Sequence, residues 1–149
     1  WEKAARGAIS TEADPTGPSF PWGDHWAKDC GNVEGTGTTP VNAHPQGASS
    51  YGCYDMAGNV QEWVSTMWGN DRGTFVYPYQ PDDGREDLKS SAALYRCTRV
   101  HRGGSFRDEA ARARCSARGF SSASSKVPWR GFRVALDMGI DDAGKEFDV

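Results

Sequence analysis

Alternating apolar and polar positions are confined to short stretches of this chain, which predicts strands rather than long helices. Glu62–Trp68 alternates between two faces and predicts one strand, and Thr98–Arg102 predicts another that leads into two glycines. In Ala111–Arg118, small residues alternate with arginine and serine over eight positions. The alanine content alone favours a helix there, but the period of two favours a strand with the small side chains inward. Gly131–Leu136 predicts the closing strand.

Most of the remaining chain lacks such a repeat and predicts loops. A short helix over Trp1–Arg6 is expected to end at Gly7, because glycine suits the position after a helix C-terminus. Ala27–Thr39, Gly69–Leu88 and Gly119–Trp129 carry no apolar periodicity. A loop as long as Gly69–Leu88 is usually functional or packed by its own side chains.

Composition narrows the fold class and excludes some partners. The chain has 149 residues with 18 glycines, 8 prolines and 6 tryptophans, which indicates a single loop-rich α+β domain over residues 1–149. Its net charge of −3 gives no basic field for nucleic acid or an anionic membrane. No apolar run is long enough for a membrane span. Trp1 lies in what reads as the middle of a helix, so we expect the N-terminal part of the domain to be missing.

Tyr54–Trp63 is the stretch around which the chain is organised. It holds Asp55 and Glu62 on either side of Gly58-Asn59, a turn dipeptide that readily takes positive φ. A hard cation would offset the repulsion between the two carboxylates. The alternative is a solvated turn with Trp63 anchored in the core, because the spacing is not that of an EF-hand. A second acidic run, Asp82–Asp87, predicts either a carboxylate cluster or, more commonly, a solvated turn.

The cysteines and histidines form no recognisable metal or redox motif. Cys53 and Cys115 have apolar or small neighbours and are expected to be small core residues. Cys30 and Cys97 can pair, but the sequence does not decide it. Each of the three histidines is expected to be exposed or satisfied by hydrogen bonds, and these are His25, His44 and His101.

A set of motifs in conserved order resembles the formylglycine-generating-enzyme (sulfatase-modifying-factor) domain family. The motifs are Trp1–Gly7, Pro21–Asp24, Thr39–Val41, Tyr54–Trp63, Arg102–Phe106 and Gly131–Arg133. The resemblance covers nearly the whole chain and implies a C-type-lectin-like fold, irregular, with short strands and long loops. It also implies that the chain is the C-terminal portion of such a domain.

The same resemblance implies a structural calcium ion and argues against copper or iron. Its ligands would be the Asp55 side chain, the Gly58 and Val60 carbonyls and the Glu62 carboxylate. Copper-binding members of the family carry two redox cysteines shortly after the Gly-Gly-Ser-aromatic element, whereas Arg107–Arg114 contains no cysteine. Soft thiolate ligands for copper are therefore absent from that stretch. Iron-dependent sulfoxide synthases of the family take their metal ligands largely from a separate domain.

Variable ligand-binding proteins of diversity-generating retroelements share this fold without catalysis, and they suggest where a ligand would bind. In them the segment that corresponds to Arg107–Arg130 displays the binding residues. The resemblance implies a calcium-stabilised module that binds an unknown protein or small molecule through Trp68, Arg107, Asp108, Arg112, Phe120, Ser121 and Trp129. The alternatives are a solvated face of an ordinary family member, a metal-dependent oxidoreductase (formylglycine-generating or sulfoxide-synthase type) whose active site is completed elsewhere, and a sensor domain of a longer protein.

Overall fold

A computed structural model describes residues 1–7, 17–70, 73–75, 79–80, 82–87 and 98–136. Within these ranges the chain forms one short α-helix, and no helix is long and apolar enough to cross a membrane. The elements are α1 (Glu2–Arg6), β1 (Gln61–Asn70), β2 (Gly73–Thr74), β3 (Thr98–Arg102), β4 (Gly119–Ser122) and β5 (Arg130–Gly131). Short 3₁₀ turns occur at Lys28–Cys30, Pro45–Gly47 and Ala110–Ala113.

The strands form one sheet in the order β2-β1-β3-β4, and β5 pairs with β1 in parallel. β1 and β3 are antiparallel, with Trp63 opposite His101. β4 continues the sheet on the other side of β3, where Gly119 lies opposite His101. The strands predicted at Glu62–Trp68 and Thr98–Arg102 are confirmed, and the helix predicted over Trp1–Arg6 ends at Gly7, which has a φ of 86°.

The strand predicted at Ala111–Arg118 is wrong. That segment is a 3₁₀ turn at Ala110–Ala113 followed by irregular backbone, and its one long-range backbone bond among the described residues joins the Cys115 N–H to the Ser19 carbonyl at 2.8 Å. The alternation still reports burial correctly, because Ala113 and Cys115 are buried while the arginines between and beside them are exposed. Short turns therefore produce the same inward and outward alternation as a strand would.

Two further boundaries differ from those predicted. The loop predicted over Gly119–Trp129 contains β4, which pairs with β3 through Phe120 and its neighbours. The closing strand predicted over Gly131–Leu136 is reduced to β5, so that its apolar side chains from Phe132 onward are exposed. The parallel pairing joins only Arg130 to Gln61 and Gly131 to Glu62.

The core is small and is built around Met56. Met56, Ala5 and Cys115 are fully buried against one another, with Trp1 and Cys53 packed on them. The prediction that Cys115 is a core residue is confirmed, and Cys53 is a half-buried neighbour of that core. Met56 belongs to the Tyr54–Trp63 stretch, which we call the central turn. The central turn is therefore anchored in the core by its methionine, whereas Trp63 is only half-buried.

The acidic run at Asp82–Asp87 packs against β1. Arg85 is fully buried, and its guanidinium binds the Asp83 carboxylate at 2.5 Å. Glu86 accepts hydrogen bonds from the hydroxyls of Ser65, Thr66 and Tyr79 at distances of 2.6 to 2.9 Å. The run is thus a docked turn, neither freely solvated nor a bare carboxylate cluster.

Two glycines with positive φ allow the packing of the central turn to be tested. A Cβ at Gly58 (φ 91°) would lie 2.4 Å from the Asn32 carbonyl oxygen, whereas one at Gly52 (φ 74°) would meet nothing within 4 Å. We expect Gly52→Ala to lower the free energy of unfolding by ~1 kcal/mol from backbone strain alone. Gly58→Ala adds a clash, and we expect a loss of ~3 kcal/mol or more.

Urea unfolding of the two variants measures the difference. Equal losses would show that the turn does not approach Asn32 closely.

Candidate functional site

The central turn is fastened to the rest of the molecule through Asn59. Its backbone N–H donates to the Asn32 carbonyl at 2.8 Å, and its own carbonyl accepts from the Phe106 N–H at 2.9 Å. Its side-chain nitrogen donates to Asp55 and to the Thr39 carbonyl, both at 3.1 Å, while its side-chain oxygen accepts from the Thr39 N–H at 3.0 Å. Asn59 has a φ of 63°, a conformation that asparagine tolerates better than most residues.

Glu62, at the end of this turn, is buried and has two strong donors. It is 4% exposed and accepts a hydrogen bond from the Trp1 indole N–H at 2.8 Å. The Arg133 guanidinium binds both Glu62 oxygens, its Nε at 2.6 Å, and also donates to the carbonyls of Tyr54 and Asp55. Arg133, which the sequence did not indicate, therefore offsets one of the two negative charges of the motif.

The structure brings the predicted calcium ligands to one turn. Burial raises the pKa of the Asp55 carboxyl and the nearby Glu62 carboxylate adds to this, although Asn59 and Arg133 act in the opposite direction. With Asp55 ionised, two carboxylates face one guanidinium, so a further cation is electrostatically favoured. Carboxylate and carbonyl oxygens are the donors that calcium prefers. Among the described residues, no three or more His, Cys, Asp or Glu side chains form a group that could hold a metal ion, so the candidate site relies on backbone carbonyls beside its two carboxylates.

Asp108, a predicted ligand residue, is held inside a hydrogen-bond network. Its Oδ2 accepts from the Ser105 hydroxyl at 2.7 Å, from the Ser105 N–H at 2.9 Å and from the Gln61 amide at 3.0 Å. Ser105 is fully buried, so this carboxylate fixes the backbone that follows the two glycines. Gln61 on β1 thereby connects the sheet to the predicted binding segment.

Arg130 and His101 complete the network. The Arg130 guanidinium donates to the Gln61 side-chain oxygen at 2.9 and 3.0 Å, lies 3.3 Å from His101 Nε2 and covers the Trp63 ring at 4.7 Å. Burial, followed by the charge of Arg130, lowers the pKa of His101 to about 4. His101 is therefore neutral at pH 7.

The predicted aromatic residues form two separate pairs. Arg107 lies over the Trp129 ring at 4.4 Å, and Trp68 stacks on Phe120 with ring centres 4.7 Å apart. Phe120 is 51% exposed, which leaves a large apolar surface open to a ligand. Stacked rings and cation–π pairs hold both groups in place without burying them.

A cavity of about 170 Å³ is lined by other residues of the same segment and of the sheet. Asp108 and Arg112 line it together with Gln61, His101 and Gly119. Ser121 is not among its lining residues: it pairs with Arg99 on β3 and lies half-buried in the sheet. The predicted ligand residues are thus divided between the cavity and the two aromatic pairs.

Sequence reasoning missed Gln61, His101 and Arg130. One signal for Gln61 and His101 was present, because strand alternation puts Gln61 on the opposite face from the buried Glu62. Pairing in the sheet then brings His101 opposite Trp63. Nothing in the sequence pattern indicated that Arg130 would bind Gln61.

Two of the described cysteines, Cys30 and Cys115, have thiols that are not activated. Cys115 is fully buried, and burial raises its pKa to about 11. Cys30 and Cys53 are free, and burial raises the pKa of Cys30 as well. A reactive thiol needs a lowered pKa. The suggested pairing of Cys30 with Cys97 falls outside the described residues, because Cys97 lies there.

A model of the sulfatase-modifying factor enzyme 1-like domain matches residues 1–138. The chain belongs to this family. It is 36% identical over 151 residues to a formylglycine-generating enzyme of Thermomonospora curvata, a match that covers 92% of this chain and 47% of that protein. It is 32% identical over 151 residues to an inactive C-alpha-formylglycine-generating enzyme 2 of Mus musculus, covering 93% of this chain and 41% of that protein. The chain therefore spans less than half the length of these relatives.

Among solved structures, this chain resembles that of Treponema denticola variable protein 1. The TM-score is 0.65 at 26% sequence identity, and the match covers 89% of this chain and 43% of that one. The family match and this structural likeness confirm the predicted irregular α+β, C-type-lectin-like fold.

The neutral His101 predicts a pH dependence of stability. Because its pKa falls from the ordinary 6.5 to about 4 on folding, the unfolded chain binds more protons between these values. Its contribution is therefore complete above pH 6.5 and is lost as the pH falls towards 4. In thermal unfolding, the stability of wild type relative to His101→Gln should be highest near pH 7 and should fall as the pH drops towards 4.

Groups facing His101 are the Arg130 guanidinium and the Asp108 carboxylate, with Trp63 and Gly119 packed on the ring. A constant difference between the two proteins across this range would mean that His101 is not held neutral.

Proposed function

We propose that the chain is a ligand- or protein-binding module of the sulfatase-modifying factor family and that it lacks the copper-dependent cysteine oxidation of catalytic members. The observation that carries the proposal is the presence of two partly exposed aromatic groups: exposed Arg107 on half-buried Trp129, and exposed Phe120 on half-buried Trp68. Aromatic and arginine side chains on a rigid support are the usual anchors of recognition surfaces.

The support beneath these groups favours binding. Asp108 orients the backbone through Ser105, and Gln61 joins Asp108 to Arg130. This network fixes the segment Arg107–Arg130 near both of its ends, so little ordering of the segment is needed when a ligand binds. Rigid surfaces bind more tightly because less conformational entropy is lost.

The distribution of cysteines in and beside the binding segment supports the proposal that copper-dependent oxidation is lacking. The stretch Arg107–Arg114, where copper-binding members are expected to carry their cysteine pair, contains none. Cys115, the nearest thiol, is buried with a raised pKa. The structural likeness to a variable protein and the sequence likeness to an inactive relative point the same way.

We further propose that one calcium ion stabilises the module at the central turn. The Asp55 and Glu62 carboxylates and the Gly58 and Val60 carbonyls would hold it. When bound, the ion would supply positive charge that Arg133 alone does not provide. The raised pKa of Asp55 is consistent with this, because burial removes water from the carboxylate and a bound cation would replace part of that lost solvation.

An oxidoreductase completed by another domain is the second candidate. It is favoured by the likeness to formylglycine-generating enzymes and by the fact that the chain covers less than half of them. Metal content of the full-length protein separates the two functions, since stoichiometric iron or copper favours the enzyme and calcium alone favours the module.

Exposed positions test the binding surface. We expect Phe120→Ser combined with Trp129→Ser to abolish or change binding, because both aromatic contacts are lost. Immobilised wild type and double variant would be compared for retained proteins and metabolites by quantitative mass spectrometry. The melting temperature should fall by only a few degrees, roughly 2–4 °C for each kcal/mol of lost stacking.

Tyr51→Ser is the matched control, because Tyr51 is also an exposed aromatic residue and does not belong to the segment 107–130. A ligand kept by this control and lost by the double variant supports the proposal. If the double variant keeps every ligand, or unfolds, the surface assignment is wrong.

Calcium binding is tested by its effect on unfolding. An ion that binds only the folded state at ~100 times its dissociation constant raises the free energy of unfolding by ~2.7 kcal/mol. We expect wild type to show such an increase over a chelated sample and Asp55→Asn and Glu62→Gln to lose most of it. The calcium-dependent difference is the relevant quantity, since Glu62→Gln also weakens the Arg133 ion pair.

Glu109→Gln is the control for removal of one exposed carboxylate, because it lies outside the turn. An unchanged unfolding curve after chelation would show that no structural calcium is bound.

A further inference from the structure

Two opposite charges line the small cavity without pairing with each other. Asp108 and Arg112 both contribute to its wall, yet no ion pair within 4 Å joins them. In the described part of the chain, the Arg112 side chain has no hydrogen-bond or ion-pair partner. All three donors to Asp108 use its Oδ2, so Oδ1 has no partner among the described residues either.

Two glycines give the cavity its shape. A Cβ at Gly119 would lie 2.2 Å from His101 Cε1, so only glycine lets this ring form part of the wall. A Cβ at Gly104 would lie 3.1 Å from the Ala113 Cα, and Gly104 has a φ of 66°. Gly104 therefore allows the 3₁₀ turn that carries Arg112 to lie close against the backbone.

The other charged residues of the wall do not remove this pair of charges. Arg102 forms an ion pair with Glu2 and donates to the Cys115 carbonyl at 2.8 Å. Arg118 has interactions of its own. His101 adds no charge at neutral pH, since its pKa lies at about 4. Asp108 and Arg112 remain as the carboxylate and the guanidinium open to a ligand.

Size limits what can fill the site. The volume of about 170 Å³ is below the ~300–1,000 Å³ of pockets that take drug-sized ligands. A guanidinium pairs well with a carboxylate, and a carboxylate oxygen accepts hydrogen bonds from an ammonium group. A small molecule that carries both a carboxylate and an ammonium group can pair with Arg112 and Asp108 at the same time.

We propose that this cavity binds a free α-amino acid with a small side chain, its carboxylate on Arg112 and its ammonium group on Asp108 Oδ1. The inference rests on the binding function proposed above and names the ligand class for the polar part of the surface. The two aromatic pairs do not line the cavity and remain available to contact a larger ligand or a protein partner.

Alanine and two analogues that each lack one of its two charged groups test this proposal. L-Alanine carries both charges, L-lactate lacks the ammonium group, and L-alaninamide lacks the carboxylate. Each would be titrated into the isotope-labelled protein, and the Arg112 side-chain Nε–Hε signal followed by NMR. We expect saturable binding of alanine, with lactate and alaninamide each weaker by at least about tenfold.

Substitutions of residues in and beside the cavity test whether alanine binds there. Arg112→Gln should weaken alanine binding by about tenfold or more, since it removes the charge that meets the carboxylate. Arg114→Gln is the matched control: Arg114 is exposed, directly follows the same 3₁₀ turn and does not line the cavity. Gly119→Ala, which pushes the His101 ring into the cavity, should also weaken binding.

The outcomes separate this inference from the broader function. No saturable shift, equal binding of lactate and alanine, or equal effects of Arg112→Gln and Arg114→Gln would overturn the amino-acid site. These titrations need no macromolecular partner, so their failure leaves the aromatic surface untouched. Conversely, loss of the aromatic surface in the Phe120 and Trp129 variant does not alter the alanine titration.

Discussion

The structure depends most on the hydrogen bonds of Asn59. A buried residue at positive φ is stable only where its surroundings fix it, and this one uses both backbone groups and both side-chain atoms. Its partners come from the loop at Asn32, from Thr39 and from Phe106, so this one residue joins three distant parts of the chain through its backbone and side chain. In a domain with little regular secondary structure, such a residue replaces the pairing that longer strands or helices would provide.

Charge compensation follows from the same turn. Asn59 holds Asp55 in place, and the backbone then delivers Glu62 to a buried position beside Trp1 and Arg133. A buried carboxylate is costly without a partner, and a guanidinium that binds both oxygens meets that need. Burial still raises the pKa of Asp55 even though the Arg133 guanidinium lies nearby and acts in the opposite direction.

Local features of the fold could be predicted from sequence, and long-range ones could not. The turn at Gly58-Asn59, β1 and β3 depend on residue types within a few positions, so their patterns were visible. The Arg133–Glu62 and Arg130–Gln61 contacts join residues 71 and 69 positions apart, and no periodicity records them. The error at Ala111–Arg118 has a similar origin. Alternating burial requires only that successive side chains point to opposite sides, and turns held by Gly104 and Ser19 achieve this without strand pairing.

The residues that form the hydrogen-bonded support differ from those that face outward. Residues that hold the binding segment, such as Ser105, Asp108 and Gln61, are bonded to each other through Asp108 Oδ2. The outward-facing side chains of Arg107 and Phe120 contact the aromatic rings of Trp129 and Trp68. Changing an outward side chain therefore costs little stability, whereas changing a support residue breaks several buried hydrogen bonds. Asp108 belongs to both groups: one carboxylate oxygen is committed to the support while the other faces the cavity, so the position of a bound ligand would be fixed by the same residue that fixes the backbone.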